Sequence, residues 1–360
     1  MNDKTTTKAP DDNDRLRAGK LPDDPTDDTR VVSRGPRILT VRDLLVASQK
    51  RATSPRRAGV ITTGNYRIDA LTGGIQPGHG WIFAAETNYG KTSWTVALAD
   101  ENLKLGKRVL MVPTEDTEQI YGDRLLSRRS GVSATRIRDQ KLDAVDIQKI
   151  SDTVQRAEPL PVYLDGLDIP EDKLCEQIKA AVLEYDMDLV IVDYLQTIPK
   201  SHQYQDERVR FRETASRITH TCKALKVPVV ICSQITPDDT GKIPGKYRVR
   251  ESKDIVNAAE AVLIGFELQA DWTDKRDPSR VIPAGTKCVN VDKAKCGTKG
   301  IVAMRWNEVT ANFEAEYPPA QGDDYLDQYA DRYDHSNTWS RAASALDDDL
   351  AGPPPHWTDR

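Results

Sequence analysis

Between about residues 59 and 316 short, continuous apolar runs alternate with stretches of helical periodicity. The runs WIFAA (81–85), VLMV (109–112), PVYLD (161–165), LVIVD (189–193), VPVVICSQ (227–234), AVLIGFE (261–267), CVNV (288–291) and IVAMRW (301–306) predict strands. Helices are predicted between them at about 91–104, 116–129, 144–157, 170–185 and 205–225. Strands that are apolar at every position need cover on both faces, and alternation with helices provides it in a mostly parallel sheet. The pattern therefore predicts an α/β domain, a mostly parallel central sheet flanked by helices, closed by a C-terminal β-hairpin.

Outside residues 59–316 this pattern lapses. Residues 1–37 are Asp, Thr, Pro, Lys and Arg with almost no apolar content, too little to offset the entropy of ordering, and predict disorder. Residues 38–58 combine a linker, SPRRAG, with a short amphipathic helix that places Val41, Leu44 and Leu45 on one face behind Thr40 as N-cap. Residues 317–360 form an acidic tail punctuated by Tyr325, Tyr329, Tyr333 and Trp339, which either solvates the protein or docks on a partner or on the chain's own basic surface.

Charge changes the picture where it is uneven. The 360 residues hold 51 Lys+Arg against 56 Asp+Glu, a net −5 that by itself argues against a polyanionic partner. However, residues 321–360 carry nine Asp against three Arg, whereas residues 200–253 carry twelve Lys/Arg against six Asp/Glu. Nucleic acid therefore stays open as a partner. No apolar run reaches the roughly 18–20 residues of a membrane span, and the first residues lack an apolar signal core, so a cytoplasmic protein without a membrane partner is expected. The five Cys and five His are scattered without ligand spacing, and no zinc or metal cluster is expected from them.

The clearest chemistry follows the first strand. WIFAA runs into AETNYGKTSWTVALA, a strand, loop and helix in which Ala85, Gly90, Lys91 and Thr92 match a phosphate-binding P-loop with Ala in place of the first Gly. Gly90 lets backbone N–H groups approach phosphates, Lys91 reaches the β/γ oxygens, and the Thr92 hydroxyl ligates Mg²⁺ at a helix N-terminus. Thr87, Asn88 and Ser93 in the same loop are further candidates for nucleotide contact. The apolar run DLVIVDYLQ ends in Asp193, a candidate second acid for Mg²⁺. Tyr194 follows it, so a base for hydrolysis must come from another strand. VLMV supplies one, running into PTEDTEQ with Glu115 at its end. Asp116 and Glu118 are rivals, and a first-turn glutamate favoured by the helix dipole is the other reading. VPVVICSQ ends in Ser233 and Gln234, where the amide either touches a γ-phosphate or is an ordinary strand-end polar group.

Two segments hold most of the local basic charge. SHQYQDERVRFRE sets Arg208, Arg210 and Arg212 on alternate positions entering a helix, either a nucleic-acid contact or a charged helix surface. ITPDDTGKIPGKYRVRESKD carries Lys242, Lys246, Arg248, Arg250 and Lys253 among Gly and Pro, which suits tracking of single-strand phosphates without reading sequence.

Taken in order, GVITTGNYRIDALTGGIQPG, AAETNYGKT, TEDTEQIYGDRLLS, VDYLQ, ICSQ, RESKDIVNAAEAVL and DKAKCGTKGIVAMRWNEVTANF resemble the C-terminal motor domain of the DnaB-type replicative DNA helicases of superfamily 4, over about residues 59–313. The resemblance implies a RecA-like P-loop NTPase core with ATP and Mg²⁺ as cofactors. It implies Lys91 and Thr92 on phosphate and Mg²⁺, Asp193 as the Walker B acid, Glu115 as catalytic base and Gln234 as γ-phosphate sensor. Such motors assemble as homo-oligomeric, commonly hexameric rings whose sites lie between subunits and are completed by a neighbour's basic residue. Lys293 and Lys295 stand where the family usually has Lys-x-Arg, the alternative being a solvated edge strand. The resemblance turns both basic segments toward a central channel that holds single-stranded DNA.

The expected activity is ATP hydrolysis that drives movement on single-stranded DNA and unwinding of the duplex, 5′ to 3′, in replication. Primase, a loader or a single-strand-binding protein are the expected partners. The alternatives are a RecA-like DNA-binding ATPase, for strand pairing or regulation, that does not unwind, and an ATP-switched loading or recruitment adaptor. Glu86 and Thr87 replace the family's usual Arg and Pro, and Lys253 replaces a usual Gly. The resemblance does not extend to the family's helical N-terminal domain; the helix near 41–52 resembles the linker helix that docks on an adjacent subunit.

Overall fold

The computed structural model describes residues 60–157, 168–201, 205–236, 242–249, 253–274 and 278–317, together with the helical positions 41, 42, 45, 46 and 49. The chain divides into residues 1–54 and 55–360. In the first unit the described positions are helical, and Val41, Leu45 and Val46 are exposed. The predicted strand 161–165, Arg250, the tail expected at 1–37 and, from residue 318 on, the tail expected at 317–360 lie outside the described residues.

In chain order the second unit comprises α1 (Tyr66–Thr72), β1 (Gly80–Ala85), α2 (Lys91–Lys104), β2 (Val109–Pro113), α3 (Glu118–Ser130), α4 (Ala134–Arg138), α5 (Ala144–Gln155), α6 (Glu171–Tyr185) and β3 (Leu189–Asp193). It continues with α7 (Glu207–Ala224), β4 (Val229–Gln234), α8 (Lys253–Ala258), β5 (Ala261–Glu267), β6 (Trp272–Thr273), β7 (Val281–Ile282), β8 (Lys287–Ala294), β9 (Gly300–Ala303), β10 (Trp306–Asn307) and β11 (Asn312–Phe313).

The apolar runs are strands because both faces of each are covered. β1, β2 and β3 are buried along their whole length, and successive side chains enter opposite layers, Trp81 and Phe83 into one, Ile82 and Ala84 into the other. α1, α2 and α3 fill the first layer with Ile68, Trp94, Leu98 and Tyr121. Phe83 stacks on Trp94 there, centroids 3.9 Å apart. α6, α7 and α8 fill the second with Leu174, Ile178, Phe211, Ile218 and Val256.

The sheet order is β2-β3-β4-β1-β5-β8-β9. The first five strands are parallel; β8 runs antiparallel to β5, and β9 antiparallel to β8. The fold is thus the predicted α/β sheet, and its C-terminal hairpin extends the main sheet. IVAMRW is not one strand. β9 ends at Ala303, and Trp306 begins a separate small hairpin of β10 with β11. α1, α4 and α8 are too short to display a helical period, so the apolar pattern did not reveal them. Their cause is local: at α1 the Asn65 side chain accepts from the N–H groups of Arg67 and Ile68, and Gly73 closes the helix in a left-handed conformation.

Candidate nucleotide site and nucleic-acid interface

Parallel strands all end at one edge, and ligands of open α/β sheets bind outside that edge where chain order switches. β1 lies between β4 and β5, both of which follow it in sequence, so the loop after Ala85 sits at such a point. Ala85 is paired with Gln234 on one side and Gly265 on the other. The loop turns through Asn88 and Gly90, both at positive φ, and Gly90 begins α2 with no side-chain cap. A Cβ on Gly90 would also crowd Phe313 and Trp306 at 3.3 Å. The first N–H groups of α2 are therefore open to an anion. Lys91 Nζ donates to the carbonyls of Ala85 and Glu86 at 3.3 and 3.1 Å. Burial lowers its pKa, opposed by the charges of Asp193 and Glu115.

Thr87 and Asn88 are exposed on this loop, and Thr92 is half-buried. Ser93 points elsewhere: its buried hydroxyl donates to the Ala311 carbonyl at 2.8 Å and accepts from Arg124 at 2.9 Å. This corrects the reading of the Ser93 side chain as a nucleotide contact, since one step along a helix turns a residue about 100° away from its neighbour Thr92.

Asp193 ends β3 opposite Pro113, and the Thr114 amide donates to the Asp193 carbonyl at 2.9 Å. That register carries Glu115 past the sheet edge, beside the acid. Asp193 Oδ2 accepts from Tyr121 at 2.7 Å and from Thr95 at 3.1 Å. Its Oδ1 is buried and has no hydrogen-bond partner among the described residues. Burial pushes this carboxyl up in pKa, against hydrogen bonds from Tyr121, Thr95 and Thr92 and the charge of Lys91. An orphan carboxylate oxygen beside a Thr hydroxyl at a helix N-terminus fits a hard divalent cation that takes its remaining ligands from phosphate and water. No group of three or more His, Cys, Asp or Glu gathers as metal ligands among the described residues.

Glu115 is exposed and accepts from the Tyr194 hydroxyl at 3.4 Å. Partial desolvation of its carboxyl at the sheet edge and the charge of Asp116 raise its pKa, with Tyr194 and Lys91 opposing. α3 begins only at Glu118 behind Thr117, so Glu118 is the first-turn acid that complements the helix dipole, and Glu115 lies ahead of the cap. Gln234 ends β4 beside Ala85. Next to it Gln196 donates to the Ser233 hydroxyl at 2.9 Å.

The structure does not bring Lys293 and Lys295 to this chain's own phosphate loop. Lys293 pairs with Val262 near the start of β5, whereas Ala85 pairs with Gly265. Three residues along and two strands across place Lys293 about 14 Å from Ala85 by strand geometry. Lys293 Nζ donates to the carbonyls of Val256 and Asn257 at 2.9 and 2.7 Å, and Lys295 bridges Glu260 at 3.3 Å. Both hold the C-terminal end of α8 and the start of β5.

Residues 60–315 match the family model of the DnaB-like helicase C terminal domain. The chain belongs to that family. Replicative DNA helicase DnaB of Treponema pallidum is 26% identical over 208 residues, covering 56% of this chain and 47% of that protein. DnaB of Geobacillus stearothermophilus is 25% identical over 305 residues, covering 78% of this chain and 64% of that protein. This chain thus spans roughly half to two-thirds of the length of these relatives. Among solved structures an ATPase domain superposes with a TM-score of 0.67 at 18% identity, covering 78% of this chain and 100% of that one. A DnaB-like replicative helicase described with its primase interactions gives 0.63 at 15% identity, covering 78% and 68%.

Within this DnaB-like domain the basic segments divide sharply. Arg208 is exposed, but Arg210 is 2% exposed. Its Nε donates to Glu171 Oε2 at 2.9 Å, Nη1 donates to Glu207, and Nη2 to the Ile198 carbonyl. This corrects the reading of Arg210 as a DNA contact. Alternate positions that share a face in a strand lie about 200° apart on a helix, so Arg208 and Arg210 cannot face one partner from α7.

The segment 242–249 is held on the sheet by Asn290, which donates to the Pro244 carbonyl at 3.0 Å, and by Asp292, which accepts from the Lys246 amide at 2.7 Å. Lys242 is exposed and Lys246 half-buried, its ammonium 5.3 Å from the Tyr247 ring. Tyr247, 69% exposed, is the candidate that the sequence reading missed. An aromatic set between two cations, KYR, was the available signal. Tyr121 and Thr95, which hold Asp193, carried no signal because their partner is distant in sequence. No helix among the described residues is long and apolar enough to cross a membrane.

Proposed function

We propose that this chain is an ATP-dependent motor that moves on single-stranded DNA and unwinds duplex DNA in replication, working as a ring, hexameric by family analogy, in the bacterial cytoplasm. The observation that carries the reading is the convergence of Lys91, Asp193 and Glu115 at one sheet edge, with an unpartnered Asp193 oxygen among them. The N–H groups of α2 and Lys91 bind and orient the β- and γ-phosphates. Thr92 and Asp193 would hold Mg²⁺, which supplies neutralising charge to those oxygens when bound. Glu115, free of the helix cap, takes the proton of the attacking water. Gln234, beside Ala85, senses the γ-phosphate.

Lys293 and Lys295 stand too far from their own loop to serve it, which favours service to a neighbouring subunit's site. That geometry supports a ring, with primase, a loader or a single-strand-binding protein as partners. The test is a forked duplex mixed with the protein, ATP and Mg²⁺. Strand separation is expected from the wild type and not from Lys91→Ala. ATP hydrolysis without separation by the wild type would instead favour a DNA-binding ATPase that does not unwind.

Single-stranded DNA is assigned to Lys242, Lys246, Tyr247 and Arg248, with exposed Arg208 at the edge. Two substitutions separate charge from stacking. Lys246→Ala should weaken oligo-dT binding at low salt and reduce the salt slope by about 0.7, as expected for one lost single-strand phosphate contact. Tyr247→Ala should cost about 1–3 kcal/mol with the slope unchanged. Titrations at several salt concentrations read both, and wild-type binding in both variants would remove the segment from the DNA path.

A further inference from the structure

A groove of about 690 Å³ runs between α7 and α8 and opens where β1 begins, on the layer of the sheet opposite α2. Ile82, Ala215, Ile255 and Ala259, all buried, form its floor. Arg212, Arg217, His220 and Lys223 line it from α7, all exposed. The helix period sets this arrangement, because Ala215, Ile218 and Cys222 turn into the core and leave the basic residues between them on the outer face. Two acids interrupt the lining, and both are engaged. Glu260 accepts from the Gly80 amide at 3.2 Å and bridges Lys295, and Glu213 lies 4.0 Å from Arg212. Arg217, His220 and Lys223 form no ion pair among the described residues.

An apolar floor under a cationic rim fits a ligand that carries rings and carboxylates in close succession. This chain contains one. Within residues 323–334 Asp and Tyr alternate at every second position, as Asp323, Tyr325, Asp327, Tyr329, Asp331 and Tyr333. The stretch follows a fixed point near the groove. Tyr317 donates to Glu101 in the last turn of α2, and α2 runs back from the end of β1 to the edge where β1 starts and the groove opens. The groove is on the other layer, about 20 Å away through the sheet. The eight steps from Tyr317 to Tyr325 span up to about 26 Å, so the alternating stretch can reach it. A short tether also holds a ligand at roughly millimolar effective concentration, enough to fill a site of modest affinity. DNA is the poorer occupant: its evenly spaced phosphates cannot avoid Glu213 and Glu260, whereas a peptide with its acids spaced by rings can. We propose that residues 323–334 dock in the α7–α8 groove of their own chain, with tyrosine rings on the apolar floor and aspartates on Arg217, His220 and Lys223.

The test is zero-length cross-linking of the full chain with a carbodiimide, which joins a carboxylate to a lysine amine as an amide and takes up the water released. Peptide mass spectrometry reads the products. The expected product joins Lys223 to an aspartate of 323–334, within one chain when isotope-labelled and unlabelled copies are mixed and re-equilibrated. Two variants separate seating from loose attraction. Tyr325→Ser with Tyr329→Ser and Tyr333→Ser keeps every carboxylate and should lower the Lys223 product by about ten-fold, because the rings supply the apolar contact. Arg212→Glu with Arg217→Glu, at two exposed positions the fold does not depend on, should lower it by a similar factor. Equal yield in the tyrosine variant overturns the docking, as does a product spread evenly over the surface lysines. Products confined to Lys242 and Lys246 would move the stretch to the segment assigned to DNA, and mixed-isotope products would move it to a second copy; either result overturns the proposal. None of these readouts needs ATP or DNA, so the docking stands or falls apart from the motor reading.

Discussion

Glu115→Gln should lower the kcat of ATP hydrolysis by about 10²- to 10⁴-fold, the range for loss of a general base, while fluorescent nucleotide still binds. Glutamine keeps the size of the side chain and an oxygen to accept from Tyr194, now at 3.4 Å, so the change removes the proton acceptor and little else. The pH profile sharpens the test. Only the ionised carboxylate can take a proton from water, and partial desolvation with the neighbouring charge of Asp116 raises the Glu115 pKa. Wild-type kcat should therefore fall as pH drops through a value above the ordinary glutamate pKa, and the Gln variant should lack that limb. Asp193 also has a raised pKa from burial, but a bound cation at its oxygen would favour the ionised form and keep this group out of the profile. Phosphate release measured across pH reads both expectations. Wild-type turnover in Glu115→Gln would return the role to Asp116.

Arg210→Ala should destabilise the domain by about 3–5 kcal/mol, the cost of leaving one partner of a buried ion pair alone. Glu171 accepts from Arg210 at 2.9 Å and from the hydroxyls of Thr214 and Ser201, both at 3.1 Å, and it is 1% exposed. Without the guanidinium, the Glu171 carboxylate remains buried with no cation beside it. For a domain of this length the melting temperature should drop by about 10 °C. Arg208→Ala, two residues away and exposed, should stay within about 0.5 kcal/mol of wild type. Replacing both partners, Arg210→Met with Glu171→Leu, should be less damaging than Arg210→Ala, since no unpaired charge is left. Urea unfolding of the four proteins separates these cases. If Arg210→Ala melts like the wild type but loses DNA binding, the residue belongs to the channel after all.

The same comparison shows how much of the site was legible beforehand. Lys91 and Thr92 open the helix after an apolar run, Asp193 ends one and Glu115 lies two residues past the end of another, so an apolar pattern is enough to place them near strand ends. The arginines of α7 were not legible in that way. Their alternate spacing suggested a shared face, but the face is a property of the helix phase. That phase is set by Phe211, Ala215, Ile218 and Cys222, which pack into the core layer beneath α7 and turn Arg210 inward with them. Ser93 fell to the same cause on α2. Tyr121 and Thr95 were silent because the carboxylate they hold lies 72 and 98 residues away.

By itself the sequence determined the class of fold and the phosphate-loop pattern, because continuous apolar runs, a glycine at the end of the loop and a lysine after it are relations among consecutive residues. The tertiary structure alone decided which acid stands beside which phosphate ligand, which cations remain outside the core, and that Glu86 meets Arg248. Those depend on strand register and helix rotation, which arise only when separate segments pack against one another. Glu86 and Arg248 are 162 positions apart, the stretch between them carries no sign of the pair, and it exists because β1 and β4 end side by side.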